Sequence, residues 1–173
     1  MKKVLVIVDM QNDFVDGVLG TKEAKAIVEN VVNKINTFDG DMIVTYDTHA
    51  KNYMETREGK YLPVKHCVKD TYGWELNGDI QKALQNRDYT ILHKPTFGST
   101  KLVDMFWNCK EEETDVTFVG LCTDICVVSN AMLLKAYYPE MNISVDAKCC
   151  AGVTPESHDA ALLTMKMCQI NII

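Results

Sequence analysis

An α/β fold with a doubly wound, mostly parallel sheet is predicted for this chain by two observations. Short apolar, β-branched runs alternate throughout with stretches of helical periodicity, and parallel strands require such crossover helices. The runs themselves, residues 4–8 above all, are apolar at consecutive positions, as in strands covered on both faces. No internal repeat and no linker interrupts the alternation, so residues 1–173 are read as a single domain.

Each element follows from its local pattern. Residues 4–8 (Val-Leu-Val-Ile-Val) form the first strand and give way to Asp9. Residues 22–38 read as an amphipathic helix, because Ala24, Ile27, Val28, Val31, Val32 and Ile35 recur at helical spacing. Residues 41–46 form a second strand that runs into Asp47-Thr48-His49. The polar stretch from there to about Asn77 is long for a connection in a compact domain and is expected to serve function. A short helix over 79–85, a third strand over 88–93 ending in Lys94-Pro95, and a helix over 102–107 come next. Residues 115–119 are a buried strand, and 126–138 are apolar on every face, as in a buried helix. A fifth strand is expected over 142–146, with 147–154 as its loop. Thr154 caps the last helix, 155–167, with Pro155 at its first position, and 169–173 form a final edge strand.

A net charge of −6 and a pI near 5.2 argue against nucleic acid or an anionic membrane as partner. The apolar segment at the N-terminus is too short to span a bilayer, and no small-residue cleavage site follows it, so a cytoplasmic protein is expected. Seven cysteines with no repeated spacing and no CxxC pair do not describe a disulfide framework or a zinc knuckle.

Three polar residues stand at predicted strand ends: Asp9, Lys94 and Cys126. Parallel strands bring such ends to one rim of the sheet, so the three can meet. A cysteine between a strand and a helix N-terminus meets unpaired N–H groups that favour a thiolate, although a small core cysteine has the same local sequence. A nearby lysine would lower the pKa of both a carboxyl and a thiol. A second constellation, Asp47-x-His49 with His66, offers oxygen and nitrogen ligands suited to zinc, iron or manganese. Glu55 is the expected fourth ligand, with Glu58 the runner-up. An Asp–His hydrogen bond beside two solvated histidines accounts for the same spacing equally well.

The segments Val8-Asp9-Met10-Gln11-Asn12-Asp13-Phe14, His93-Lys94-Pro95-Thr96-Phe97-Gly98-Ser99-Thr100 and Gly120-Leu121-Cys122-Thr123-Asp124-Ile125-Cys126-Val127 resemble, in order, the signatures of the isochorismatase-like cysteine hydrolases. The resemblance covers essentially the whole chain. It implies a three-layer α/β/α fold and a triad with Asp9 as general base and acid, Lys94 as orienting cation and Cys126 as nucleophile. It also implies a cis peptide at Leu121–Cys122 and an oxyanion hole made by the N–H groups of Cys122 and Cys126. Within the family, Asp47, His49 and His66 are similar to the metal site of nicotinamidases, where the metal meets the ring nitrogen of nicotinamide. Phe14 resembles the residue that stacks on that ring, and Tyr72 or Trp74 is expected to form another wall. The activity implied is hydrolysis of nicotinamide through a thioester, with a divalent metal, zinc foremost, and a small amide as substrate. The alternative is a metal-independent hydrolase of another amide or ureido compound, of the N-carbamoyl amidase type. Homo-oligomers are common in the family and are expected here.

Overall fold

A computed structural model describes residues 1–173. The strands are β1 (Lys2–Val8), β2 (Asp41–Asp47), β3 (Thr90–Lys94), β4 (Thr114–Leu121), β5 (Asn142–Ala151) and β6 (Asn171–Ile172). The helices are α1 (Asn12–Val15), α2 (Lys22–Ala26), α3 (Val28–Thr37), α4 (Arg57–Tyr61), α5 (Gly78–Leu84), α6 (Thr100–Asp104), α7 (Val128–Tyr137) and α8 (Pro155–Met167). All six strands lie in one sheet, ordered β3-β2-β1-β4-β5-β6, and every pair is parallel.

The alternation of side chains along β1 explains the three layers. Val4, Val6 and Val8 enter a core built with Phe118, Leu102, Phe106, Ala131, Leu134 and Met165, the last five of these from α6, α7, α8 and the turn after α6. Leu5 and Ile7 enter the opposite core with Val31, Ile35, Ile80 and Leu84 from α3 and α5. The five side chains from Val4 to Val8 are at most 2% exposed. Burial of each contributes about 1.5–3 kcal/mol, which makes this central strand the anchor of both layers.

Three expectations need correction. The helix expected over 22–38 breaks at Ile27 into α2 and α3, although Ala24, Ile27, Val31 and Ile35 keep one buried face across the break. The helix expected from Cys126 begins instead as a π-turn, Thr123–Val127, and becomes regular in α7. The fifth strand does not end at Asp146. Phe118 pairs with Val145 but Gly120 pairs with Cys150, so the intervening residues of β5 bulge and the strand then resumes to Ala151. The charged residues Asp146 and Lys148 hide the continuation, because they occupy the bulge rather than the ladder. Thr154 does cap α8, in a reciprocal capping box with Ser157.

The chain winds outward from β1 in both directions, through β2 to β3 and through β4 to β6. In open sheets of this kind a crevice forms beyond the carboxyl ends of the strands flanking that reversal. Asp9 follows β1, Asp47 and Lys94 end β2 and β3, and Cys126 follows β4. No helix is long and apolar enough to cross a membrane.

Candidate active site

Asp9, Lys94 and Cys126 meet at this rim, as the strand ends require. Lys94 Nζ lies 2.6 Å from Asp9 Oδ2 and 3.4 Å from Cys126 Sγ. Lys94 and Asp9 are wholly buried, and Cys126 is 4% exposed. Asp9 adopts a left-handed backbone (φ 47°), which turns its side chain back over the sheet. Its other oxygen, Oδ1, accepts from the Thr45 hydroxyl at 2.6 Å, and its N–H donates to the same hydroxyl at 3.2 Å.

Burial dominates the titration of these groups. It pushes the Cys126 thiol well above its ordinary range, Asp9 adds to the rise, and Lys94 only partly opposes both. Burial likewise raises the Asp9 carboxyl against the pull of Lys94. The expected lowering of both groups by the lysine is therefore outweighed. Burial works against the Lys94 ammonium, yet Asp9, Cys126 and Asp47 hold its pKa above the usual lysine range.

The turn leading to Cys126 contains a cis peptide, Leu121–Cys122. Before it, Gly120 takes a positive φ of 113°, and a Cβ there would collide with the Val8 carbonyl. Glycine serves here because it tolerates the positive φ and leaves room for the Val8 backbone of the neighbouring strand.

Asp47, His49 and His66 form a buried cluster whose ligand atoms lie within 4.8 Å of one another. Asp47 Oδ2 is 2.8 Å from His49 Nε2 and 3.5 Å from His66 Nε2. His49 Nε2 nonetheless has no partner in hydrogen-bonding geometry, despite complete burial. His66 Nδ1 donates to the Val64 carbonyl at 2.8 Å, which leaves Nε2 as the free lone pair when the ring is neutral. Burial alone would raise the Asp47 carboxyl, but the two histidines and Lys94 hold it well below the usual carboxylate range. This donor set fits a divalent cation.

The structure places Glu58, not Glu55, beside this cluster. Glu58 Oε1 is 3.6 Å from His49 Nε2 and 3.7 Å from His66 Nε2. Thr56 accepts from the Gly59 N–H and caps α4, and that single helical turn swings Glu58 inward. Glu55 closes the preceding 3₁₀ turn and is exposed.

A cavity of about 350 Å³ opens between Cys126 and Asp47, His66 and Glu58. Phe14 lines it together with Leu19, Leu62, Phe97, Ile125 and Val153. Tyr72 and Trp74 do not. Tyr72 is 73% exposed, and Trp74 packs against Tyr46 and stacks on His93 while its Nε1 donates to Thr48 Oγ1. This short turn contributes backbone rather than side chains: the Tyr72 carbonyl accepts from Asn12, and the Trp74 carbonyl from Gln11.

Sequence reasoning passed over several residues that build the site. Gln11 grips Asp47 from both sides, donating to its carbonyl at 2.9 Å and accepting from its N–H at 2.8 Å. Tyr53 is wholly buried, its ring 4.7 Å from that of His49 and 4.9 Å from that of His66. Asp13 accepts from the Cys67 N–H and so holds the chain just after His66. Thr45 had a visible signal, a hydroxyl inside an otherwise apolar strand.

Parallel sheet, switch-point crevice and thiol at the strand end together define a doubly wound α/β protein of the kind built for small-molecule sites. The isochorismatase domain model matches residues 3–173, and the chain belongs to the isochorismatase family. It is 30% identical to the isochorismatase family protein PncA of Bacillus subtilis, over 94% of this chain and 93% of that one. It is 28% identical to a nicotinamidase of Schizosaccharomyces pombe, over 98% of this chain and 91% of that one. Among solved structures it is similar to a pyrazinamidase of Pyrococcus horikoshii in complex with zinc, with a TM-score of 0.83 and 24% identity over 100% and 99% of the two chains.

Proposed function

We propose that the protein is a metal-containing, cysteine-dependent amidase that hydrolyses nicotinamide to nicotinate and ammonia, residues 1–173 acting as one unit. The observation that carries this reading is the single cavity bounded at one end by Cys126 and at the other by the Asp47–His66–Glu58 side of the metal cluster. That geometry suits an aromatic amide held by its ring at one end and attacked at its carboxamide at the other. The nicotinamidases among its relatives support the same chemistry.

In this reading Asp9 takes the proton of Cys126 as the substrate carbonyl approaches. Lys94 remains charged and stabilises the thiolate as it forms. The sulfur bonds to the carbonyl carbon, and the N–H groups of Cys122 and Cys126 receive the oxyanion. Asp9 then passes its proton to the departing amine, leaving a thioester. Water attacks that thioester with Asp9 as general base, releasing the acid and restoring the thiol. Asp47, His49, His66 and Glu58 would hold the divalent metal, which supplies a Lewis-acid docking point for the ring nitrogen. Phe14 and Phe97 flank the ring.

The cavity walls carry no lysine or arginine to meet the carboxylate of an N-carbamoyl amino acid, which weighs against the alternative substrate class. The deciding experiment is ammonia release from nicotinamide by metal-loaded and by chelated protein, with Cys126→Ala as blank. Release that needs both thiol and metal is the expected result. Well-folded, metal-loaded protein that releases none would overturn the proposal.

A further inference from the structure

Asn130 lies wholly buried in α7, one helical turn beyond Cys126. Asparagine is a weak helix former and a costly residue to bury unless its amide is satisfied. Here the amide faces two segments at once. Nδ2 donates to the Cys126 carbonyl at 2.8 Å and to the Phe97 carbonyl at 3.0 Å. Oδ1 accepts from the Ser99 N–H at 3.0 Å. Phe97 and Ser99 belong to the loop that leaves β3 immediately after Lys94, and the Phe97 ring lines the cavity. Between them Gly98 rests against α7 so closely that a Cβ would meet Leu133 at 2.7 Å.

We propose that Asn130 is a positioning residue for both the nucleophile and the substrate wall. One buried amide fixes the loop after Lys94 and the turn bearing Cys126 in a single register. The thiol then meets the Lys94 ammonium at 3.4 Å while Phe97 faces the same cavity. A satisfied, fully buried network of this kind specifies one arrangement of the elements it joins.

Two substitutions separate its two links. Asn130→Ala breaks both. Asn130→Thr keeps the nearer one, because a helical threonine hydroxyl can bond the carbonyl four residues back, but it releases Phe97 and Ser99. The readouts are iodoacetamide alkylation of Cys126 followed by peptide mass spectrometry, kcat and KM for nicotinamide, and metal content. The KM measurement rests on the proposed amidase activity, whereas alkylation does not. Wild-type protein that alkylates selectively at Cys126 yet releases no ammonia would fault that activity and leave the role of Asn130 to be decided by alkylation.

Asn130→Ala is expected to slow Cys126 alkylation about tenfold and raise KM about tenfold, with metal content unchanged. Asn130→Thr is expected to keep alkylation within about threefold of wild type while KM still rises about tenfold. A folded Asn130→Ala protein that matches wild type within about twofold in both readouts would overturn the proposal, whatever its melting temperature. Should that variant fail to fold, an unchanged KM in Asn130→Thr would overturn it.

Discussion

Lys94 and Asp47 stand 3.6 Å apart, ammonium to carboxylate, with both side chains at most 5% exposed. The other oxygen of Asp47 faces His49 and His66, so this one contact joins the thiol's charge partner to the metal cluster. Asp9, Asp47 and Glu58 together outnumber the single ammonium by two formal negative charges. Burial and the Asp47 carboxylate raise the Glu58 pKa against the pull of His49, His66 and Lys94. A divalent ion would balance the site.

Breaking that balance should be costly. Lys94→Met leaves buried carboxylates facing no cation and is expected to lower stability by about 3–5 kcal/mol. Combining it with Asp9→Asn should restore much of the loss, since the pair is then replaced by neutral groups. Urea denaturation of the two single variants and the double variant measures the coupling; strictly additive losses would contradict it.

Substitution of Cys126 should separate activity from folding. Cys126→Ala is expected to reduce ammonia release by at least about a thousandfold. The melting temperature should change little, because the lysine keeps its carboxylate partners.

The Asp47–His49–His66 cluster offers a contrast between two neighbouring acids. Glu58→Gln should weaken metal retention about tenfold or more, while Glu55→Gln leaves it unchanged. Metal content after dialysis against a graded chelator series reads the difference directly. Equal losses from both would remove Glu58 from the set.

Wall residues give a parallel contrast. Phe14→Ala should raise KM for nicotinamide about tenfold with a smaller effect on kcat. Tyr72→Ala should leave both constants near wild type, because that ring points to solvent.

Alkaline pH should destabilise the fold through its thiols. Burial raises Cys122 to about 12 and Cys149 to about 11, and pushes Cys67, Cys126 and Cys150 upward as well. The folded state keeps these protons where the unfolded chain has released them. Stability is therefore complete below the ordinary thiol pKa of about 8.5 and falls as pH rises above it, by up to about 1.4 kcal/mol per thiol per pH unit. Urea midpoints at neutral pH and at about pH 10 should differ by several kcal/mol equivalents; coincident midpoints would contradict the shifts.

The parts of this site legible in sequence are those fixed by strand periodicity. An unbroken apolar run such as Val4–Val8 announces a central strand, and the first polar residue after it, Asp9, must emerge at the rim. Lys94 closes β3 at the same rim, and Cys126 reaches it from the turn that follows β4. What could not be read depends on the phase of single turns. Glu55 and Glu58 differ by less than one helical turn, and only the Thr56 cap decides which faces the histidines. Trp74 is an aromatic residue in a functional loop, yet the hydrogen bonds of Gln11 and Asn12 to that loop's carbonyls turn its ring away. Asn130 looks like a polar residue on a buried helix until its bonds to Phe97 and Ser99, distant in sequence, are seen beside its bond to the Cys126 carbonyl.

The strand that carries Lys94 is also an outer strand of the sheet, paired on one side only. Unpaired sheet margins are templates for joining other chains, and a frayed margin is the first step. Peeling β3 away would draw a wholly buried ammonium out from between Asp9, Asp47 and Cys126. The charge network thereby latches the carboxyl end of that margin, so that the groups arranged for chemistry also guard the molecule against aggregation.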